Sequence, residues 1–165
     1  MHPILTTLLR AAVVVVLAVG LFGQVVVIPT TAADEAELFP PYAPYAVPYA
    51  VLAVLGVACV QVALVAVWRL LGMARHGALF APRTFRWVDV VIVSSVAATV
   101  LATGVATHLL LAEIPSPDGG MGLESALAVA VTAAGAGASF AMVTVIMRSL
   151  LRKATELQQE MAEVI

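Results

Sequence analysis

The sequence has few charged residues, and this scarcity decides its class. Of its 165 residues, 11% are Asp, Glu, Lys or Arg, whereas 62% are hydrophobic, and the mean hydropathy is +1.07. An ordinary soluble domain has about 25% charged residues, which supply its polar surface. Eight basic and ten acidic residues are too few to cover a water-soluble globule of this length. The composition therefore excludes a soluble protein and predicts a membrane protein.

The residue sets that carry catalysis and cofactor binding are also missing from the sequence. Its one cysteine, Cys59, lies in an apolar run, which excludes a disulfide framework, a CxxC redox pair and a thiolate metal site. The patterns Ser-x-x-Lys, His-Glu-x-x-His and Gly-x-Ser-x-Gly do not occur, and there is no phosphate-binding loop. His108 has no second histidine on a facing span with which to hold haem. We expect no enzymatic activity, no catalytic residue, no cofactor and no metal.

Four charge-free intervals are long enough to cross a bilayer. They cover residues 11–33, 38–68, 90–112 and 125–147. About 20 residues of helix span a hydrocarbon core of about 30 Å, and a backbone in lipid must satisfy its own hydrogen bonds. Trimming at prolines and loops predicts spans near 9–28, 47–71, 88–112 and 124–147 and a tail over 148–165. The predicted fold is one all-α membrane domain over 1–165, an antiparallel four-transmembrane-helix bundle with a cytoplasmic C-terminal helical extension.

The basic residues predict the orientation of the chain. All eight flank the same ends of the spans: Arg10, Arg69, Arg75, Arg83, Arg86, Arg148, Arg152 and Lys153. The loops 29–46 and 113–123 contain acidic residues and no base. By the positive-inside rule, both termini face the cytoplasm of a multi-pass plasma (inner) membrane protein. A signal peptide cleaved near Thr31–Ala33 is the alternative, but the apolar core over 11–28 is longer than usual for one.

Polar side chains inside the spans are few, and most lie in span three. Ser95, Thr99, Thr103 and Thr107 are spaced four residues apart and so share one helix face. Such hydroxyls commonly pack helices together or bond back to the i−4 carbonyl. The functional alternative is a polar path for an ion or small solute, in which Gln61 would take part. Gln61 is expected to hydrogen-bond another helix, and the span-three hydroxyls are one candidate for that contact. No intramembrane carboxylate supports proton coupling.

Small and aromatic residues predict packing and anchoring. Span four contains the small-xxx-small pairs Ala133/Gly137 and Gly135/Ser139, which favour bundle packing, with homodimerisation as the alternative. The segment that leads into span two contains three tyrosines, which are typical of an interfacial aromatic belt, with a ligand-binding aromatic patch as the alternative, and Pro48 fits the first turn of the helix. In the inner loop, Gly77 is predicted to end the helix that extends from span two, and Pro82 to begin the next helix.

The tail predicts a surface for a partner. Leu150, Ala154, Leu157, Met161 and Val164 follow the 4-3-4-3 spacing of a coiled-coil seam. Two heptads are too short for a stable free coiled coil, so this apolar stripe must contact another surface. A protein partner, a second copy of the chain and an intramolecular cap on the inner loop are the alternatives. The bilayer is disfavoured because Glu160 and Glu163 would face an anionic leaflet.

Several short motifs resemble a bacterial membrane family. They are Gly77–Phe80, Thr84–Val88 and Leu157-x-x-Glu160-x-x-x-Val164-Ile165. Together with the four spans, these motifs resemble the family catalogued as domain of unknown function 2975, although Ala81–Arg83 departs from its usual pattern. The resemblance implies a four-helix inner-membrane protein whose gene often neighbours a small helix-turn-helix regulator. No activity is established for that family.

These patterns lead to two hypotheses of function. The first is a non-enzymatic plasma-membrane protein, in contact with lipid, whose cytoplasmic loop and tail engage a protein partner such as a transcriptional regulator. The second is a small transporter or channel that uses the hydroxyl stripe. Direct nucleic-acid binding is not expected, because the bases lie against the membrane and the tail tip is acidic.

Overall fold

The structure is a computed structural model that describes residues 3–75, 82–112, 114 and 121–163. All of these residues except Phe39, Ala112 and Ile114 are helical, which confirms the predicted all-α class. Within the described residues, four helical segments are long and apolar enough to cross a membrane. We refer to them as spans 1 to 4: Ile4–Leu38, Pro40–Met73, Thr84–Leu111 and Gly122–Leu157.

Span 1 is longer than the sequence predicts because its helix continues through a proline. It comprises α1 (Pro3–Phe22), a π-helical turn (Gly23–Val27) and α2 (Ile28–Leu38). Because Pro29 cannot donate a backbone hydrogen bond, the sequence predicts that the helix ends near residue 28. The π-helical turn directly precedes Pro29, and the Thr30 hydroxyl donates to the Val26 carbonyl (2.7 Å). The candidate cleavage site Thr31–Ala33 therefore lies inside α2.

Span 2 begins with a 3-10 turn (Pro40–Tyr42) and continues as α3 (Ala43–Arg75). The prediction that Pro48 occupies the first turn of this helix is wrong, since α3 begins at Ala43 and Pro48 lies inside it. Pro44 takes the first-turn position, where a missing N–H has no helical acceptor.

Spans 3 and 4 belong to α4 (Pro82–Leu111) and α5 (Met121–Glu163). Pro82 begins α4, as the sequence predicts. Gly77, predicted to end the preceding helix, lies outside the described residues. Helix α5 runs without a break for 43 residues, so span 4 and the first part of the predicted tail form one continuous helix.

The spans pack against each other in chain order. Helices α1 and α2 contact α3, α3 contacts α4, and α4 contacts α5. Within the described residues no other pair of spans is in contact. Residues later in one helix contact residues earlier in the next; for example, Gly20 lies against Gln61 and Gln24 contacts Val54. Neighbouring spans are therefore antiparallel. Closure of the four helices into a bundle is not confirmed.

The buried positions of this arrangement are mostly small or β-branched residues. The buried apolar residues are Val13, Ala66, Val88, Val91, Ala106, Leu109, Ala130 and Ala141. Many of the long apolar side chains are exposed; Leu111, for example, is 79% exposed. Such a surface is unfavourable in water and suits contact with lipid.

A glycine of span 4 lies directly against span 3. A Cβ placed on Gly137 would lie 2.5 Å from the Thr99 hydroxyl oxygen, whereas a Cβ on Gly135 meets nothing within 4 Å. Of the two glycines in the predicted small-xxx-small pairs, Gly137 therefore faces α4 and Gly135 does not.

This difference gives a matched pair of variants. We expect Gly137→Ala to destabilise the protein by about 1–3 kcal/mol because the added methyl group overpacks against Thr99. Gly135→Ala is expected to be neutral or to stabilise by up to about 1 kcal/mol through helix propensity. Unfolding in detergent, followed by circular dichroism, measures both. Thr99→Ala should restore stability to Gly137→Ala; equal effects of the two glycine variants would contradict this packing.

Candidate functional site at the basic end

The ends of the spans that carry the bases lie together in the structure, and we call this region the basic end. An arginine at this end joins each pair of neighbouring spans, namely Arg10 for spans 1 and 2, Arg69 for spans 2 and 3, and Arg148 for spans 3 and 4. The grouping of bases that the sequence predicts is therefore also a set of contacts between helices.

Spans 1 and 2 are joined by Arg10. Its guanidinium carbon lies 5.2 Å from the centroid of the Trp68 ring. The same guanidinium covers the backbone at Gly72, where a Cβ would lie 2.6 Å from Nη2. The glycine thus leaves room for the arginine, and the ring quadrupole attracts its charge.

Spans 2 and 3 are joined in the same way by Arg69. Its guanidinium carbon lies 5.4 Å from the centroid of the Trp87 ring. Arg86, which directly precedes Trp87 in α4, is exposed. The side chain of Arg83, which the spacing places on the same face as Arg86, lies outside the described residues.

Spans 3 and 4 are joined by an ion pair that the sequence analysis missed. Nε of Arg148 lies 2.6 Å from Oδ1 of Asp89, and Nη2 lies 3.3 Å from Oδ2. The side chains are 38% and 47% exposed, so the pair is partly solvated. Asp89 is the single acidic residue of span 3 and lies one turn after Arg86; a lone carboxylate at the end of a span was the available signal.

The opposite end has an aromatic contact that was also missed. The Tyr49 hydroxyl shares a 2.7 Å hydrogen bond with Nδ1 of His108, and the two rings meet edge to face. The Tyr45 ring lies 6.4 Å from His108, centroid to centroid. The predicted interfacial tyrosines therefore also join span 2 to span 3.

The hydroxyl groups of the stripe in span 3 donate their hydrogen bonds to backbone carbonyls of the same helix. Ser95 donates to the Val91 carbonyl (2.7 Å), and each threonine donates to the carbonyl four residues before it at 2.8 Å. Ser95 is buried, whereas Thr103 and Thr107 are exposed. The packing alternative accounts for Ser95 and Thr99; the solute path stays a prediction.

The two glutamines of the spans lie between spans 1 and 2. Nε2 of Gln24, in the π-helical turn, donates to the Val54 carbonyl (3.0 Å). Gln61 lies against Gly20, where a Cβ would be 3.0 Å from its Nε2. The expected contact of Gln61 with the span-three hydroxyls is therefore wrong, because the helix rotation turns this side chain toward span 1.

The apolar stripe of the tail is uncovered where its side chains are described. Leu150 and Leu157 are 56% and 60% exposed, and Ala154 is also exposed. The side chain of Met161 and the whole of Val164 lie outside the described residues. Arg148 of α5 pairs with Asp89 of α4, and Arg148, Leu151 and Thr155, which follow one another at about one turn, are half-buried.

Comparison with known proteins identifies the family. The family model described as a protein of unknown function, DUF2975, matches residues 30–165. The chain belongs to the DUF2975 family. No curated protein and no solved structure matches it.

The DUF2975 match covers spans 2, 3 and 4 and the tail, and it leaves out α1. The contacts of Arg69 and Arg148 at the basic end therefore lie within the family region, whereas Arg10 precedes it. In the described part of this family member, no group of three or more His, Cys, Asp or Glu side chains could hold a metal ion.

The Arg148–Asp89 pair can be tested in the full-length DUF2975 protein. We expect Asp89→Asn to lower the free energy of unfolding by about 0.5–1 kcal/mol, as for partly exposed ion pairs. Detergent unfolding of Asp89→Asn, Arg148→Gln and the double variant measures the coupling. The exposed Arg152–Glu156 pair (3.2 Å) is the matched control, with about 0.3–0.5 kcal/mol expected. Strictly additive effects of the Asp89 and Arg148 variants would show that the pair contributes nothing.

Proposed function

We propose that this DUF2975 member is a non-enzymatic, multi-pass protein of the bacterial plasma (inner) membrane with its basic end in the cytoplasm. The asymmetry of the bases supports this orientation, since cytoplasmic loops are enriched in Lys and Arg. The acidic residues Asp34, Glu35 and Glu37 lie at the far end of span 1, where no base occurs.

Cysteine labelling in intact cells tests this orientation. In a Cys59→Ala background, Glu35→Cys and Lys153→Cys place single thiols at exposed positions on opposite ends. A membrane-impermeant maleimide is expected to label Glu35→Cys in intact cells and Lys153→Cys only after permeabilisation. Labelling of Lys153→Cys in intact cells would reverse the assignment.

The proposed role of the protein is to engage a cytoplasmic protein through the C-terminal part of α5. The observation that supports it is the exposure of Leu150, Ala154 and Leu157 beside a half-buried flank that contacts α4. Packing within the described chain uses the flank and leaves the stripe uncovered. An apolar helix face of this kind is typical of helix-in-groove recognition or of a helix pair.

The geometry of the tail suits a partner outside the membrane. From Ser149 to Glu163, α5 continues for about 22 Å at 1.5 Å per residue. Glu156, next to the stripe, is exposed and pairs with Arg152, which keeps the helix surface polar around the stripe. A soluble protein with an apolar groove fits this surface better than an anionic leaflet does. The family resemblance indicates a helix-turn-helix regulator as the class of partner.

Site-specific photocrosslinking in cells tests the proposed role. A photoreactive amino acid at Leu157 is expected to crosslink to a second, soluble protein, whereas the same group at Glu156 on the other flank serves as the matched control. Leu150→Glu should abolish the Leu157 product because it places a charge in the apolar contact.

Two other products would contradict the proposal. A crosslink from position 157 to the segment between α3 and α4 of the same chain would make the tail an internal cap. A crosslink to a second copy of the chain would make the stripe a homodimer contact.

A further inference from the structure

The basic end contains a cavity that the proposed role of the tail does not use. It has a volume of about 330 Å³ and lies between spans 2 and 3. Among the described residues, its lining comprises Arg69 from α3 and Arg86, Trp87 and Val90 from α4. Small-molecule pockets in proteins range upward from about 300 Å³, so the space is sufficient for a lipid headgroup.

The two arginines of the cavity have no acidic counterpart among the described side chains. The nearby carboxylate, Asp89, pairs with Arg148 at 2.6 Å, and the remaining described ion pair joins Arg152 to Glu156. Arg69 and Arg86 are both exposed, so they retain two positive charges beside an open cavity. Uncompensated charge of this kind attracts an anion.

The Trp87 ring restrains one of the two arginine side chains. The guanidinium of Arg69 lies over the Trp87 ring, which reduces the freedom of its long side chain. Val90 follows Trp87 by one turn of α4 toward the centre of span 3, so the cavity passes from charged to apolar along the helix. This order matches the order of phosphate and acyl chain in a phospholipid.

We propose that this cavity binds the phosphate of an anionic phospholipid. Planar guanidinium groups recognise phosphate oxygens through paired, charge-assisted hydrogen bonds. Trp87 would contact the glycerol region and Val90 the start of an acyl chain. Basic pockets between transmembrane helices are a known means of binding anionic headgroups. The proposal does not depend on a protein partner for the tail, nor on which side of the membrane the basic end faces.

Native mass spectrometry of the full-length protein tests the site. The protein is released from nanodiscs of zwitterionic phosphatidylcholine that contain a small fraction of phosphatidylglycerol. A retained phosphatidylglycerol adduct is expected for the unaltered chain. Arg86→Gln, which changes an exposed side chain, should weaken its binding about fivefold, and the Arg69→Gln/Arg86→Gln double variant about twenty-fivefold.

Matched controls separate a defined site from general attraction to bases. Arg152→Gln removes an exposed arginine outside the cavity and is expected to change binding less than twofold. Trp87→Phe keeps an apolar wall with a weaker cation–π contact and should reduce binding without abolishing it. Circular dichroism of every variant establishes that it is folded. If a variant with Arg69→Gln does not fold, Arg69→Lys replaces it; a smaller loss of binding is expected, because lysine keeps the positive charge but cannot bind phosphate in a bidentate way.

Three results would overturn the proposal. Equal losses for Arg152→Gln and Arg86→Gln would show attraction to net charge only. Unchanged binding in the double variant would exclude the cavity. Displacement of the adduct by millimolar inorganic phosphate, with the phosphate retained, would identify a site for the free anion and not for a lipid.

Discussion

One constraint recurs in every pair of neighbouring helices: at the same end of the structure, an arginine contacts the next helix. In lipid, apolar side chains gain little by leaving one apolar environment for another, so helices associate through close packing and polar contacts. Arg10, Arg69 and Arg148 each supply one such contact where their charges can remain near the headgroup layer. Three of the eight bases that predict orientation therefore also join neighbouring helices.

Packing in chain order leaves large surfaces of the helices without a helix against them. Because α5 contacts α4 and no other described helix, and α1 contacts α3 alone among the other spans, large apolar faces stay uncovered. Along the spans these faces suit lipid. Beyond Arg148 the same helix continues past the predicted hydrocarbon region, and Leu150 and Leu157 remain exposed there; this is the face to which we assign a protein partner in the proposed role.

The sequence predicts the helices well and their contacts poorly. Length and hydropathy are sufficient for four spans, and Pro82 correctly begins α4. Pro29 and Pro48 misled the boundaries because both lie inside long apolar helices that continue through a missing N–H. At Pro29 a π-helical turn precedes the proline, and the Thr30 hydroxyl donates to a carbonyl of that turn. A helix that is apolar all round does not reveal which face meets a neighbour, so the rotation of Gln61 toward span 1 and the Tyr49–His108 contact were not predictable. Small residues are more informative, since Gly137 does mark the face toward α4.

The packing of the spans in chain order is the central claim, and intramolecular disulfide formation in native membranes tests it most directly. In a Cys59→Ala background, cysteine pairs at Gly20/Val57 and Thr99/Gly137 probe neighbouring spans, whereas Val16/Met142 probes spans 1 and 4 at a matched depth. On oxidation we predict a disulfide within one chain for both neighbouring pairs and none for Val16/Met142. An efficient intramolecular disulfide between Val16→Cys and Met142→Cys would show that the helices close into a bundle, which would contradict this account.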